Sequence, residues 1–352
     1  MKGLFIAPAN SIHSKKWIEN FINKGFDIYW ISFYKKSNNI GEIHKSIHFY
    51  EITSNNFLLV YLKVRRILKT HFFSFVHLHY IGRMSFILLF LKFHKLITTP
   101  WGSDIKHVNE NSLKGFIVSK ILNASYFLTV DANYMKHEIQ RFTSNNLPVK
   151  LVNFGVDTEL FKNKSKQNQT NTLKIISLRN LEEVYSVSTL VHSINILRLK
   201  NIELELIVDI YSDGPERNNI LGLIEQLNLS KIISLKGRYD YKQLPLILNK
   251  YDVYISTSRS DAGLAASTAE AMASELFVIT ADNSDNSNWI NGKCGFLFKT
   301  DSADDLAVKI VDYNNLSNQE KNVYKKNARN KIIQNNSLES EMKKMLQLYN
   351  NT

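Results

Sequence analysis

Short apolar runs alternate with amphipathic stretches twice along this chain, and that alternation limits the fold more than any other feature. In the first half, strands are expected at 2–7, 27–32, 75–79, 96–99, 126–130 and 149–152. Helices are expected between them at 15–24, 58–69, 83–93, 114–122 and 134–141. Apolar strands separated by helices make a parallel, doubly wound sheet. The segment 162–171 is polar and aperiodic, and it reads as a linker. The second half restarts the pattern, with strands at 174–178, 205–210, 232–236, 253–256 and 277–280 and the clearest helices at 188–200 and 216–227. The chain is long enough, at 352 residues, for two domains. The expected division is 1–161, a linker at 162–171, a second domain at 172–330 and a terminal helix at 331–352. The fold class is therefore α/β, two Rossmann-like domains with a ligand between them at the carboxyl ends of their strands.

Charge separates the halves. Residues 1–165 hold 22 Lys and Arg against 10 Asp and Glu, while the remainder is balanced at 22 and 22, so the net +12 lies entirely in the first half. The cations form no dense block and no nucleic-acid motif accompanies them, which leaves an anionic membrane surface or an acidic substrate as the expected partner. The longest apolar run, 84–91, ends at Lys92 and is too short for a bilayer, which takes about 20 residues. The first strand is likewise too short for a signal peptide. A single cysteine, Cys294, excludes an internal disulfide framework and a cysteine metal site, and suits a reducing cytoplasm. The expected location is cytoplasmic, free or peripheral on the inner face of the membrane.

The chemistry concentrates in loops that follow strands. After the apolar run 253–257 come Ser258-Arg-Ser-Asp-Ala-Gly-Leu-Ala-Ala-Ser267 and then an alanine-rich helix carrying Glu270. A strand, a small-residue loop and a helix start form a phosphate-binding arrangement, and a carboxylate one turn inside suits the hydroxyls of a ribose or sugar. Arg179, just after the 174–178 strand, suits a diphosphate because a guanidinium fork grips two phosphate oxygens. The turn Ser212-Asp-Gly-Pro-Glu216, with Gly214, and the pair Gly237-Arg238 follow the next two strands.

In the first half, His77-Leu-His79-Tyr80 closes one strand and Thr99-Pro-Trp-Gly-Ser-Asp104 closes another. Trp101 suits stacking on a pyranose face, while Gly102, Ser103 and Asp104 suit a hydroxyl-rich ligand. The alternative is a core tryptophan beside an aspartate helix cap. His13 and Ser11 lie in the loop after the first strand, facing the same side. The two histidines at 77 and 79 lack a clustered third ligand, so no metal is expected.

These motifs, in this order, resemble the retaining glycosyltransferases of family 4, which have the GT-B fold. The resemblance rests on His77-Leu-His-Tyr80 with Thr99–Asp104, on Val152-Asn-Phe-Gly-Val-Asp157 with Phe161, on Ser177-Leu-Arg179 followed by Tyr185 and Leu190, on Asp213-Gly-Pro-Glu216, and on Glu270-Ala-Met-Ala273. It implies a nucleoside-diphosphate sugar bound mainly by the second domain. Glu270 would hold the ribose. Arg179 and the amides of Gly263, Leu264, Ala265, Ala266 and Ser267 would neutralise the leaving diphosphate, with Gly214, Gly237 and Arg238 nearby. The acceptor, lipid-linked or polysaccharide, would meet His13, His79, Trp101, Gly102, Ser103 and Asp104. No metal and no cofactor would be required, because a cation and a helix dipole supply the charge.

Two positions depart from the pattern. Tyr185 stands where the family has a diphosphate-binding lysine, and Ala262 where it often has an acid, with Asp261 one residue earlier. The resemblance therefore makes Arg179, Asp261 and Glu270 the catalytic candidates, with Arg238 or Arg259 compensating for the lysine. A sugar-nucleotide 2-epimerase of the same fold, or a non-catalytic sugar-nucleotide-binding subunit, are the alternatives.

Overall fold

The computed structural model describes the chain apart from residues 107, 145, 164–170, 262, 284, 292 and 352 and the side chain of Asn39. Most of the expected linker and Ala262 thus lie outside the described residues. The chain divides into two compact units, Met1–Phe154 with Glu341–Thr352, and Gly155–Ser340. This differs from the expected division at two places. Residues 155–161 belong with the second unit, and the end of the terminal helix belongs with the first.

The first unit is a seven-stranded parallel sheet of β1 (Lys2–Ile6), β2 (Asp27–Ser32), β3 (Ile47–Glu51), β4 (Phe75–His79), β5 (Leu96–Thr99), β6 (Phe127–Val130) and β7 (Val149–Leu151). Their order is β3-β2-β1-β4-β5-β6-β7. The second is a six-stranded sheet of β8 (Leu173–Ser177), β9 (Leu206–Ile210), β10 (Ile233–Leu235), β11 (Val253–Ser256), β12 (Phe277–Ala281) and β13 (Phe296–Phe298), in the order β10-β9-β8-β11-β12-β13. In both, the order reverses beside the first strand, between β1 and β4 and between β8 and β11. Doubly wound sheets bind ligands at such a reversal, above the carboxyl ends of the strands.

Helices of the first unit are α1 (Ile12–Glu19), α2 (Phe57–Thr70), α3 (Leu113–Asn123) and α4 (Asn133–Gln140). The second unit holds α5 (Val187–Leu199), α6 (Arg217–Gln226), α7 (Leu244–Leu248), α8 (Ala266–Ala273), α9 (Asn286–Trp289), α10 (Ala303–Asn315) and α11 (Asn318–Asn336), and α12 (Leu338–Asn350) follows. Two first-half helices differ from expectation. Ser11 caps α1 by accepting from His13 N–H at 3.2 Å, so the helix starts three residues before 15. Asn20 Nδ2 then takes the Lys16 carbonyl at 2.6 Å, and the α-helix stops there, before a 3-10 turn at Ile22–Lys24. The expected helix at 83–93 is a 3-10 segment, Arg83–Phe90. The tight exit from β4, with Tyr80 at φ +69° and Gly82 N–H held by Ser85 Oγ at 3.0 Å, winds it in steps of three.

One core of the first unit joins Leu4, Tyr29, Val76 and Leu128 of the sheet to Val60 and Val64 of α2, Ile87 of the 3-10 segment and Ile121 of α3. α12 ends in this unit. Its Tyr349 ring stacks on Phe75 at 3.9 Å, and its hydroxyl meets His77 Nδ1 at 2.5 Å. Glu341, fully buried, accepts from Asn153 N–H at 2.8 Å and pairs with Lys344 at 2.5 Å.

Candidate active site

In the second unit the candidates collect at the reversal between β8 and β11. Arg179 leaves the end of β8, and Asp261, Gly263 and α8 follow β11. Gly263 adopts φ +151°, a region that side chains disfavour, and so turns the loop into α8. α8 has Ala265 at its N-cap and no side-chain cap, so its first-turn N–H groups are not taken by a capping oxygen. The helix is buried from Ser267 to Ala273, which explains its small residues: alanines let it pack between strands and α11.

Arg179 is a fixed cation. Its Nη2 pairs with Asp261 Oδ1 at 2.5 Å, its Nη1 donates to Ser267 Oγ at 3.3 Å, and the guanidinium lies 4.3 Å from the Tyr185 ring centroid. Burial opposes the charge, yet Asp261 first and the tyrosines 254 and 185 after it hold the pKa above its ordinary value. Nε is buried without a hydrogen-bond partner among the described residues. Ser267 in turn shares a 2.8 Å hydrogen bond with Tyr254 OH. Tyr185 is itself held, because its carbonyl accepts from Thr257 Oγ1 at 2.8 Å.

Glu270 is buried, and Tyr241 OH donates to its Oε1 at 2.6 Å. Burial and then the Glu270 charge push the Tyr241 pKa far up, so the phenol stays protonated and keeps donating. Tyr239 shifts upward for the same two reasons. Neither tyrosine carried a signal in the sequence beyond lying just after β10.

The outer loops differ in character. Gly214 has no room for a side chain: a Cβ there would come within 2.3 Å of the Leu181 carbonyl. Gly237 sits at φ +74° and places Arg238, whose side chain is 72% exposed and only 4.0 Å from Asp213. Arg259 is engaged elsewhere, with Nε 2.9 Å from both oxygens of Asp301 and Nη1 on the Glu183 carbonyl at 3.1 Å. Of the two arginines expected to replace a lysine, Arg238 is therefore the available one. Leu264 and Ala265 are half-buried and Ala266 is exposed at the helix start.

In the first unit, the loops after β1, β4 and β5 bring several aromatic groups together. His13 lies 5.4 Å from the Phe154 ring and 6.5 Å from Trp101. His79 lies 5.6 Å from Trp17 and 6.4 Å from Trp101. Burial lowers the His79 pKa to about 3, and burial with help from Lys16 lowers that of His13 to about 4. Both are neutral imidazoles at pH 7. Neither nitrogen of His79 has a hydrogen-bond partner among the described residues, and the same holds for Trp101 Nε1.

Asp104 has a different place. Its Oδ2 accepts from Ile81 N–H at 2.8 Å and its Oδ1 from Trp101 N–H at 2.9 Å, at 1% exposure. The carboxylate ties the β4 and β5 loops together. Gly102 turns this loop at φ +93° and leaves Ser103 exposed. His77 faces the sheet interior, between Tyr349 OH and Thr99 Oγ1 at 2.6 Å.

Residues 158–331 match the family model described as glycosyl transferases group 1, and residues 2–132 match that described as glycosyl transferase 4-like. A Streptococcus parasanguinis protein, the GtfA subunit of UDP-N-acetylglucosamine–peptide N-acetylglucosaminyltransferase, is 34% identical over 103 residues, 29% of this chain and 20% of that protein. WcaL of Salmonella typhimurium, provisionally named a colanic acid biosynthesis glycosyltransferase, is 23% identical over 186 residues, 51% of this chain and 45% of that protein. The matched segments thus span less than half the length of either relative. A solved glycosyltransferase from Rickettsia africae superposes with a TM-score of 0.83 at 18% identity, covering 99% of this chain and 98% of that one. Anabaena HepE in complex with UDP gives 0.83 at 14% identity, covering 100% of both chains. At these identities the likeness is one of fold, and it runs end to end. Taken with the two family models, it shows that the chain belongs to the group 1 glycosyl transferases and has the GT-B fold.

Proposed function

We propose that the protein is a retaining hexosyltransferase that moves a sugar from a nucleoside diphosphate to a lipid-linked or polysaccharide acceptor in cell-envelope glycan synthesis. The observation that carries this reading is the convergence at the β8–β11 reversal of a fixed guanidinium, an uncapped helix start and a buried carboxylate. A diphosphate leaving the anomeric carbon gains negative charge, and donors already aimed at it stabilise that charge without reorganisation. The Arg179 guanidinium and the first-turn N–H groups of α8 are the donors that this reading assigns to the diphosphate. Glu270, held by Tyr241, accepts from the ribose hydroxyls. Charge stabilisation by a cation and a helix end replaces the role of a metal ion, and the leaving phosphate takes the acceptor proton, so no protein nucleophile is needed. The acceptor lies against His13, His79 and Trp101. The relation to WcaL supports an envelope glycan, and the structure of HepE with UDP supports a nucleotide-sugar donor.

The test is a donor panel of UDP- and GDP-sugars, with and without a bacterial lipid extract, a glycan and a peptide as acceptors, and with a chelator present throughout. Transfer that survives the chelator and vanishes in Arg179→Ala supports the reading. Nucleotide binding with no transfer to any acceptor would favour a second reading, a non-catalytic sugar-nucleotide-binding subunit. The observation behind that reading is the ion pair that holds Arg179 to Asp261.

A further inference from the structure

Between Glu51 and Asp104 the chain has no acidic residue, and it carries seven Lys and Arg over 52–103. This stretch supplies α2 and the 3-10 segment Arg83–Phe90, which pack with α3 on one face of the first sheet. Phe57 of α2 and Phe86 of that segment meet edge to face at 4.5 Å, so the elements form one continuous layer.

The outer side of the layer exposes large apolar side chains among its cations. Leu58, Leu59 and Leu62 of α2 are exposed, Leu58 at 65%. Phe90 is 68% exposed, Leu113 77% and Phe116 56%. Single exposed apolar groups are ordinary on protein surfaces. Six large ones stand on adjoining elements, and clustered apolar exposure of this kind marks an interaction surface. α2 divides its exposed side by length. The leucines occupy its first two turns, and Lys63, Arg65, Arg66 and Lys69 follow on the same outward arc. Lys114 and Lys120 stand beside Leu113 and Phe116 on α3, with Lys120 5.4 Å from the Phe116 ring.

We propose that the outer face of α2, the 3-10 segment and α3 docks on an anionic lipid surface. Leucine and phenylalanine side chains enter the boundary between head groups and acyl chains, while lysine and arginine stems lie along it with their charges among phosphates. Charge selects this occupant. A second copy of the same face would set cations against cations with no carboxylate from α2, the 3-10 segment or α3 to relieve them. The proposal does not rest on the sugar-transfer reading, because nucleotide binding to the second unit is measured separately.

The test is flotation of the full chain with vesicles of phosphatidylcholine alone and of phosphatidylcholine with phosphatidylglycerol. The protein is expected to float with the anionic vesicles only, and less as salt rises. Replacing Arg65, Arg66 and Lys69 by Gln lowers the partition coefficient on the order of 100-fold, at roughly fivefold per cation. Leu59→Ser with Phe90→Ser also weakens flotation while leaving the charge unchanged. A control triple, Lys200→Gln, Lys231→Gln and Lys250→Gln, removes exposed cations of the second unit and floats like the parent. Failure of the parent to float with anionic vesicles would overturn the proposal. So would equal flotation with neutral vesicles, or equal losses in the test and control triples. Circular dichroism confirms that each variant is folded.

Discussion

The Tyr241 phenol donates a 2.6 Å hydrogen bond to Oε1 of Glu270, the carboxylate proposed to hold the donor ribose. Glu270 is buried in a helix of small residues, and the bond gives it a single orientation. Hydrogen bonds to charged groups contribute about 1.5–3 kcal/mol. Tyr241→Phe is expected to weaken nucleotide binding roughly tenfold. The telling readout is discrimination between a nucleoside diphosphate and its deoxyribose analogue, which should shrink if the tyrosine positions Glu270. A lower melting temperature with discrimination intact would give Tyr241 a structural role only.

Tyr185 stacks on Arg179 at 4.3 Å, in the place where the family resemblance leads one to expect a lysine. A cation over a desolvated ring contributes on the order of 1–2 kcal/mol. Tyr185→Phe should therefore keep kcat/KM within about twofold, since the ring is what matters, and Tyr185→Ala should lower it roughly tenfold. Equal losses in both variants would assign the effect to the hydroxyl.

Asp261 pairs with the buried Arg179 guanidinium at 2.5 Å, at the site proposed for the diphosphate. Removing one partner of a buried ion pair costs about 3–5 kcal/mol, because the other charge stays buried. Asp261→Asn should lower the melting temperature of the free protein, and a saturating nucleoside diphosphate should restore much of the loss by taking the carboxylate's place. Equal destabilisation with and without nucleotide would separate the ion pair from the donor site.

The neutral histidines of the first unit make stability depend on pH. His13, His77 and His79 all have folded pKa values below the ordinary 6.5 because burial opposes the charge, about 4 for His13 and about 3 for His79. As pH falls below 6.5 the unfolded chain takes up protons that the folded chain refuses. Stability is then lost between 6.5 and about 4 for His13, and down to about 3 for His79, at ~1.4 kcal/mol per histidine per pH unit. Chemical denaturation across this range should show the decline, and His79→Phe should flatten it.

How much of this was legible depends on where each residue's partners lie. Strands at 27–32, 75–79, 96–99 and 253–256 were readable to the residue, because interior parallel strands are continuous apolar runs. The edge strand β3 was missed, since its half-exposed Ile-His-Phe-Tyr-Glu has no such run, and three-residue β13 was missed at an edge of the second sheet. The loops after β8 and β11 were readable because chain order places them at the sheet reversal. Tyr241 and Tyr254 were not, because a tyrosine near a strand carries no local signal of the carboxylate or serine that it meets. Asp104 looked like a sugar ligand in sequence, and its two backbone bonds show only in three dimensions. His77 and Tyr349 lie 272 positions apart, so the anchoring of α12 in the first unit had no local signature.

Arg179, the start of α8 and Glu270 are together proposed to bind a nucleoside diphosphate. Titration calorimetry of the full chain with UDP, GDP, ADP and dTDP tests it directly, beside Arg179→Ala and Glu270→Gln. At least one of these nucleotides should bind, and each variant should weaken its binding by about tenfold or more while remaining folded. Binding of no member of the panel, or binding that both substitutions leave unchanged, would contradict it.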